Sequence, residues 1–321
     1  MASSSYHLIE PDLRPALAAR PPLDITAETL AMFRGMDFGA VQSPPGAPVV
    51  VERRIPGPLP GSTVRVLIID PAPGRRNRPA LLHLHGGGYV VGAPENANPD
   101  NQRYAMQCGC VVVSVDYQLA PETVFPGALE DNYAALRWLH ENAESLGVDP
   151  RRIGVGGESA GGGHAAALAI AARDRGQLPV AFQFLVYPML DDRTGTTRKV
   201  SPYIGEFIWT AVSNQFGWSS LLGVPAGSKT VPQGAVPARV GDLRGLPPAF
   251  IGVGALDLFI EEDLEYAGRL IAAGVPVEVH VAPGAYHGFD KLAPETVPAR
   301  HFTATLTAGL GRLIADRGTV D

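Results

Sequence analysis

The sequence predicts an α/β protein, with a mostly parallel, eight-stranded sheet, helices on both faces and a helical insertion above it. Three observations carry that expectation. Short runs that are apolar on both faces alternate with stretches of helical period, the pattern of a parallel sheet covered on both sides. The rhythm breaks once, after residue 187, and resumes only at 248. Finally, one strand-like run passes straight into an alanine-rich helical stretch through "GVGGESAGGG" at 154–163, a bend made largely of residues that carry almost no side chain.

The elements follow in order. Strand-like runs lie at 49–55, 63–70, 80–85, 110–117, 152–157, 180–187, 248–254 and 275–281. Helix-like stretches lie at 97–108, 127–146, 160–175, 261–273 and 296–317. The first two strands have no helix between them, which predicts an antiparallel start. The gap holds "SPYIGEFIWTAVSNQFGWSSLLG" (201–223), whose helical period and two tryptophans predict an insertion above the sheet and not a separate domain. Residues 1–45 are broken by prolines, with short helical patterns such as "AETLAMFRGM".

Composition narrows the function. A chain of 321 residues with 45% hydrophobic and 18% charged content is ordinary for a soluble enzyme with a sizeable core. A net charge of −6 and the lack of a long basic run argue against nucleic acid. Cys108 and Cys110 are expected to be buried thiols in a reducing compartment. The first residues have no basic segment followed by an apolar core, so no signal peptide is expected. No run approaches the roughly 18 apolar residues of a membrane span. A soluble cytoplasmic protein is the expectation.

The glycine-rich bend is where chemistry enters. Gly157, Ser159 and Gly161 form G-x-S-x-G between a strand and a helix, the nucleophile elbow. Flanking residues without side chains let backbones approach, and the serine oxygen stands at the positive end of the next helix. A dinucleotide fingerprint would sit after the first strand of a βαβ unit, whereas this bend ends the fifth. A second motif, "HLHGGGYVVG" (83–92), ends a strand in His85 followed by Gly86, Gly87 and Gly88. Its backbone N–H groups, with that of Ala160 after the serine, suit an oxyanion hole.

A serine needs a base, and the base an orienting acid, here in the chain order Ser, Asp or Glu, His. His280 lies inside the last strand and His301 in the terminal helix. His287, in the loop after that strand, is the expected base. Asp257, just past the preceding strand, is the expected acid, with Glu261 in reserve. Glu261, Glu262 and Asp263 otherwise read as charges favoured in a helix's first turn. His164 reads as a partly buried helical residue, and His83 with His85 as structural, since spacing supplies no third metal ligand.

Together "HGGGYVVG", "DYQLAPETVFPGALED", "GGESAGG", "DLRGLPPAFIGVGALDLFIEED" and "GVPVEVHVAPGAYHGF" resemble the hormone-sensitive lipase family of α/β-hydrolases, in particular its bacterial short-chain esterases. The resemblance implies an α/β-hydrolase fold with a helical cap. It divides the chain into a cap segment at 1–45 and a catalytic domain at 46–321, with a cap insertion at about 190–240. It implies Ser159 as nucleophile, Asp257 as acid, His287 as base, and Gly86, Gly87 and Ala160 as oxyanion donors. Gln118 stands where the family usually has arginine, Glu158 where many members have aspartate, and Leu258 where proline usually follows the acid.

The expected function is therefore a serine carboxylesterase acting on short- to medium-chain acyl esters through an acyl-enzyme, without metal or organic cofactor. The alternatives are an amidase or deacetylase on the same triad, or a non-catalytic receptor on the same fold. The expected partner is a small ester, not nucleic acid or membrane, with a homodimer allowed. Tyr89, Glu158, Phe207, Trp209 and Trp218 are the candidate substrate-binding residues, although Glu158 is expected to point away from the substrate and brace neighbouring loops. Tyr203 and Phe216 are further aromatics of the insertion, whose packing on one another is the competing reading.

Overall fold

A computed structural model describes residues 5–20, 22–36 and 43–315. Among the described residues eight strands form one sheet: β1 Val50–Pro56, β2 Thr63–Ile69, β3 Arg78–Leu84, β4 Val111–Asp116, β5 Val148–Glu158, β6 Gln183–Val186, β7 Ala249–Gly254 and β8 Val277–Ala282. Their order is β1-β2-β4-β3-β5-β6-β7-β8. The first hairpin is antiparallel, as its short connection dictates, and β2 also runs antiparallel to β4. Every other pairing is parallel.

The helices among the described residues are α1 Arg14–Ala18, α2 Leu30–Gly35, α3 Asn98–Cys108, α4 Gly127–Glu141, α5 Ala160–Arg175, α6 Ala211–Leu222, α7 Ile260–Ala272, α8 Phe289–Leu292 and α9 Val297–Ile314. Strand residues alternate between two cores, because successive side chains leave a strand on opposite faces. Leu82, Val113, Val155 and Ile251 meet Leu136 of α4, Leu168 of α5 and Leu270 of α7 on one side. Leu81, Val112, Phe184 and Phe250 meet Tyr104 of α3 and Phe302 and Leu306 of α9 on the other.

The elements differ from the sequence reading in extent. The helix expected over much of 201–223 is confined to α6, because Gly205 at φ +67° and Ile208 at φ +64° cannot continue a helix. Thr210 then starts α6, its hydroxyl accepting from Ser213 N–H at 3.4 Å. The stretch at 127–146 stops at Glu141, where Asn142 turns its amide back onto the Trp138 carbonyl at 2.8 Å. The N-terminal helical pattern appears as α2, while 1–4, 21 and 37–42 of the expected cap segment, and 316–317 of the terminal helix, lie outside the described residues.

A third apolar cluster sits above the sheet. Trp209, Trp218, Leu221 and Leu222 of the insertion bury against Ile25 from the N-terminal segment, Tyr89 to Val91, Leu258 and Phe259. Asp24 accepts from Thr210 Oγ1 at 2.5 Å, and Ser213 Oγ accepts from Ile25 N–H at 3.0 Å. Ser5 donates its N–H and hydroxyl to Glu206. The N-terminal segment is thus tied to the insertion at Ser5 and again at Asp24 and Ile25. Among the described residues no helix is long and apolar enough to cross a membrane.

Candidate active site

The carboxyl ends of the parallel strands converge here, as ligand sites of open α/β sheets do. Strand β5 ends at Glu158 and α5 begins at Ala160, leaving Ser159 at φ +56°, ψ −122°. That backbone is costly for a residue with a side chain. The surroundings hold it: Ser159 N–H donates to Val186 O at 2.9 Å, and its carbonyl accepts from Gly163 and Met189, each at 3.0 Å. Gly157 and Gly161 are glycines for a visible reason. A Cβ on either would overlap the Leu84 carbonyl oxygen of β3.

The structure brings Ser159, His287 and Asp257 together from three loops. His287 Nδ1 lies 2.8 Å from Asp257 Oδ2 and its Nε2 lies 3.0 Å from Ser159 Oγ. A carboxylate only accepts, so Nδ1–H donates to Asp257 and Nε2 is left to accept from the serine hydroxyl. Asp257 is wholly buried, and its other oxygen accepts from Phe259 N–H at 3.0 Å. The imidazole is walled by Tyr187 and Phe259, edge-on at 4.9 and 5.3 Å between ring centres, with Trp209 at 6.2 Å. Behind the ring, Tyr187 donates its hydroxyl to Asp290 Oδ1 at 3.1 Å, a support that no sequence motif announced.

Glu158 engages one expected oxyanion donor. Its Oε1 accepts from Gly86 N–H at 3.2 Å, so that donor is already engaged. Oε2 lies 2.8 Å from His83 Nε2, and His83 Nδ1 reaches Ser114 Oγ at 3.1 Å. Glu158 therefore faces the loop that it braces. Among the described residues no acceptor takes the N–H of Gly87, Gly88 or Ala160. The sequence reading puts the donors at Gly86 and Gly87, because a run of three glycines does not say which N–H a neighbour will claim. Burial alone would raise the Glu158 carboxyl, but the charge and hydrogen bond of His83 hold it below the usual carboxylate range.

A family model described as the alpha/beta hydrolase fold matches residues 81–291. Esterase LipI of Mycobacterium tuberculosis is 37% identical over 254 residues, which is 78% of this chain and 77% of that protein. Among solved structures, a bacterial heroin esterase superposes with TM-score 0.84 at 35% identity, covering 97% of this chain and 99% of its own. Esterase LipW from Mycobacterium marinum gives 0.85 at 32%, covering 98% of each chain. The chain belongs to the hormone-sensitive lipase family of α/β-hydrolases. It is a carboxylic ester hydrolase.

Two departures from that family's pattern have structural answers. Where the family usually has arginine, Gln118 donates both its backbone N–H and its side-chain amide to Asp131 Oδ2, at 3.0 and 3.1 Å. Leu258, in place of proline, is buried in the cluster above the sheet, against Trp209 and Phe259. It also fills the space beside Gly205, where a Cβ would overlap it.

The remaining candidates separate. Trp209 stands beside His287 and lies so close over Gly88 that a Cβ there would overlap its ring. Phe207 is half-buried, edge-on to Tyr6 and Tyr286. Trp218 is wholly buried, and Tyr89 nearly so, which leaves neither a face for a substrate. Glu261 accepts from Ser201 N–H at 3.3 Å, turned towards the insertion. Glu262 and Asp263 are not exposed charges at a helix start. Both are buried, and burial pushes both carboxyls well above the carboxylate range. Glu262 accepts from the N–H groups of Leu190 and Asp191 and from the Thr194 hydroxyl, holding the first turn after β6. His164 is fully enclosed between Tyr89 and Tyr117, where burial and then His85 drop it to about 3.

The Glu158 bridge makes a prediction with a definite sign. A carboxyl held below its ordinary value stabilises the fold above the unfolded value of about 4.3 and loses that contribution as pH falls through the folded value. Glu158→Gln is therefore expected to destabilise the protein most near neutrality. Denaturant unfolding at pH 7 and near pH 4 should give a gap from wild type that narrows in acid.

Proposed function

We propose that the chain hydrolyses short- to medium-chain carboxylic esters with Ser159 as nucleophile, His287 as base and Asp257 as the residue that orients it and stabilises its charged form. The observation that carries the reading is the unbroken hydrogen-bond chain from Asp257 through His287 to Ser159, set at a strand-to-helix bend. In the first half-reaction Ser159 Oγ bonds to the ester carbonyl carbon while its proton passes to His287 Nε2. Asp257 stabilises the imidazolium. The tetrahedral oxygen is received by the free N–H groups of Gly87, Gly88 and Ala160, at the positive end of α5. The C–O bond to the alcohol breaks as His287 returns the proton to it. Water then repeats the sequence on the acyl-enzyme.

We assign residues 1–45 and about 190–240 as the cap over a catalytic domain at 46–321, with Trp209 as its wall nearest His287. The proposal keeps a homodimer, for which β8 offers an open sheet edge, and a cytoplasmic location, where Cys108 and Cys110 stay free thiols. The receptor reading fits a site that has lost its base, whereas here His287 lies 3.0 Å from the serine.

Ser159→Ala and His287→Ala are each expected to abolish turnover of p-nitrophenyl butyrate, with a double variant little worse, because a triad acts as a unit. Asp257→Asn should cost roughly 10⁴-fold in kcat, the reference for a wrongly held imidazole, and Glu261→Gln little. Strong loss in Glu261→Gln with activity kept in Asp257→Asn would move the acid.

Substrate size gives a separate outcome. A closed cap limits the ligand that can be buried, so acyl chains of about eight carbons or fewer should be preferred. Rates on acetate, butyrate, octanoate and palmitate esters, above and below their solubility limits, check this. Faster cleavage of emulsified long-chain triglyceride than of dissolved butyrate would contradict it.

A further inference from the structure

The elbow accounts for Gly157 and Gly161 but leaves Gly163, the last residue of "SAGGG", without a reason. The structure supplies one. A Cβ at Gly163 would overlap two atoms, the Met189 carbonyl oxygen and the Tyr89 hydroxyl. The glycine opens a path by which the Tyr89 side chain passes the first turn of α5 and donates its hydroxyl to Met189 O at 2.9 Å. Met189 in turn donates its N–H to Ser159 O at 3.0 Å. Two hydrogen bonds thus join the residue after Gly88 to the peptide of the serine itself.

Tyr89 is also held where a bulky residue is seldom found. Its backbone is left-handed, at φ +70°, a conformation that persists only when its surroundings over-determine it. Those surroundings are complete. The ring is 2% exposed and meets His164 and Trp218 edge-on, at 4.7 and 4.9 Å between centres. Its carbonyl accepts from Ala120 N–H at 3.0 Å. On the other side of Gly88, the Gly87 carbonyl accepts from Val90 and Val91 at 3.1 and 3.0 Å, closing the loop.

We propose that Tyr89 is a positioning residue: through Met189 it fixes the Gly87 and Gly88 donors relative to Ser159, and Gly163 is glycine to let it do so. This rests on the esterase mechanism proposed above. Tyr89 touches no substrate. Its hydroxyl matters because a donor must meet the oxygen of the transition state, and a misplacement of about 1 Å costs on the order of 10²-fold in rate.

The test is Tyr89→Phe in the full chain, which keeps the ring and removes the hydroxyl. Tyr266→Phe serves as control, since the buried Tyr266 hydroxyl has no partner among the described residues. kcat and KM are measured on p-nitrophenyl butyrate, and affinity is measured for a trifluoromethyl ketone, which adds to an active-site serine as an oxyanion. The expected result is a fall in kcat of about 10- to 100-fold with KM nearly unchanged. Ketone affinity should fall by a similar factor, while Tyr266→Phe behaves as wild type. Gly163→Ala, whose Cβ would overlap both ends of that bond, the Tyr89 hydroxyl and the Met189 carbonyl oxygen, breaks the link without changing residue 89; it should give the same signature and stands in if Tyr89→Phe does not fold. Unchanged kcat and ketone affinity, whatever happens to melting temperature, would reduce Tyr89 to a packing residue and overturn the inference. Ser159→Ala in the same assay separates the two levels. Turnover kept in Ser159→Ala sinks the mechanism and this inference together. An inactive Ser159→Ala beside a wild-type-like Tyr89→Phe sinks the inference alone.

Discussion

A serine at φ +56° and ψ −122° between a strand and a helix is the constraint from which the rest of the molecule can be derived. An isolated chain would leave that conformation at once. It survives because β5 runs between β3 and β6 with both of its edges paired, and because α5 has nowhere else to start. The close approach of α5 to β3 leaves no room for a side chain at 157 or 161. In exchange, Ser159 stands clear of both elements at the head of a helix, with three loops from other strand ends around it. His287 and Asp257 meet it because β7 and β8 lie next in order beyond β6, carrying their loops to the same edge.

Charge around the site follows the same logic of enclosure. Glu158 is ionised because His83 and the Gly86 N–H face it, and it spends that charge on the loop whose later N–H groups remain free. Among the described residues no cation faces the buried Glu262 and Asp263, and burial pushes both carboxyls well above the usual carboxylate range. Above the site, Asp24 and Glu206 tie the N-terminal segment to the insertion, and Trp209 carries that packing down to His287 and Gly88.

Much of this was legible in the sequence because its signals are local. Glycine spacing at 157 and 161, a histidine just past the last strand and an aspartate just past the one before are short patterns with a backbone cause. What was not legible depends on contacts between distant segments. Which of Gly86, Gly87 and Gly88 keeps a free N–H is decided by Glu158, some 70 residues on. The apolar period of 201–223 could not reveal that Gly205 and Ile208 adopt positive φ and shorten the helix to α6. Trp218 and Tyr89 looked like pocket aromatics, yet each is buried against the other. Glu262 looked like a helix-start charge until the 190–194 turn folded over it.

The central claim is that Ser159 is the group that becomes acylated. Diethyl p-nitrophenyl phosphate transfers its phosphoryl group to an activated serine and releases p-nitrophenol, so the claim can be read by mass spectrometry of the intact chain and its peptides. One diethylphosphoryl group per chain is expected, on the peptide containing Ser159, with esterase activity lost in proportion to labelling. Full inactivation with the label on another residue, or continued ester turnover by a chain fully labelled at Ser159, would contradict it.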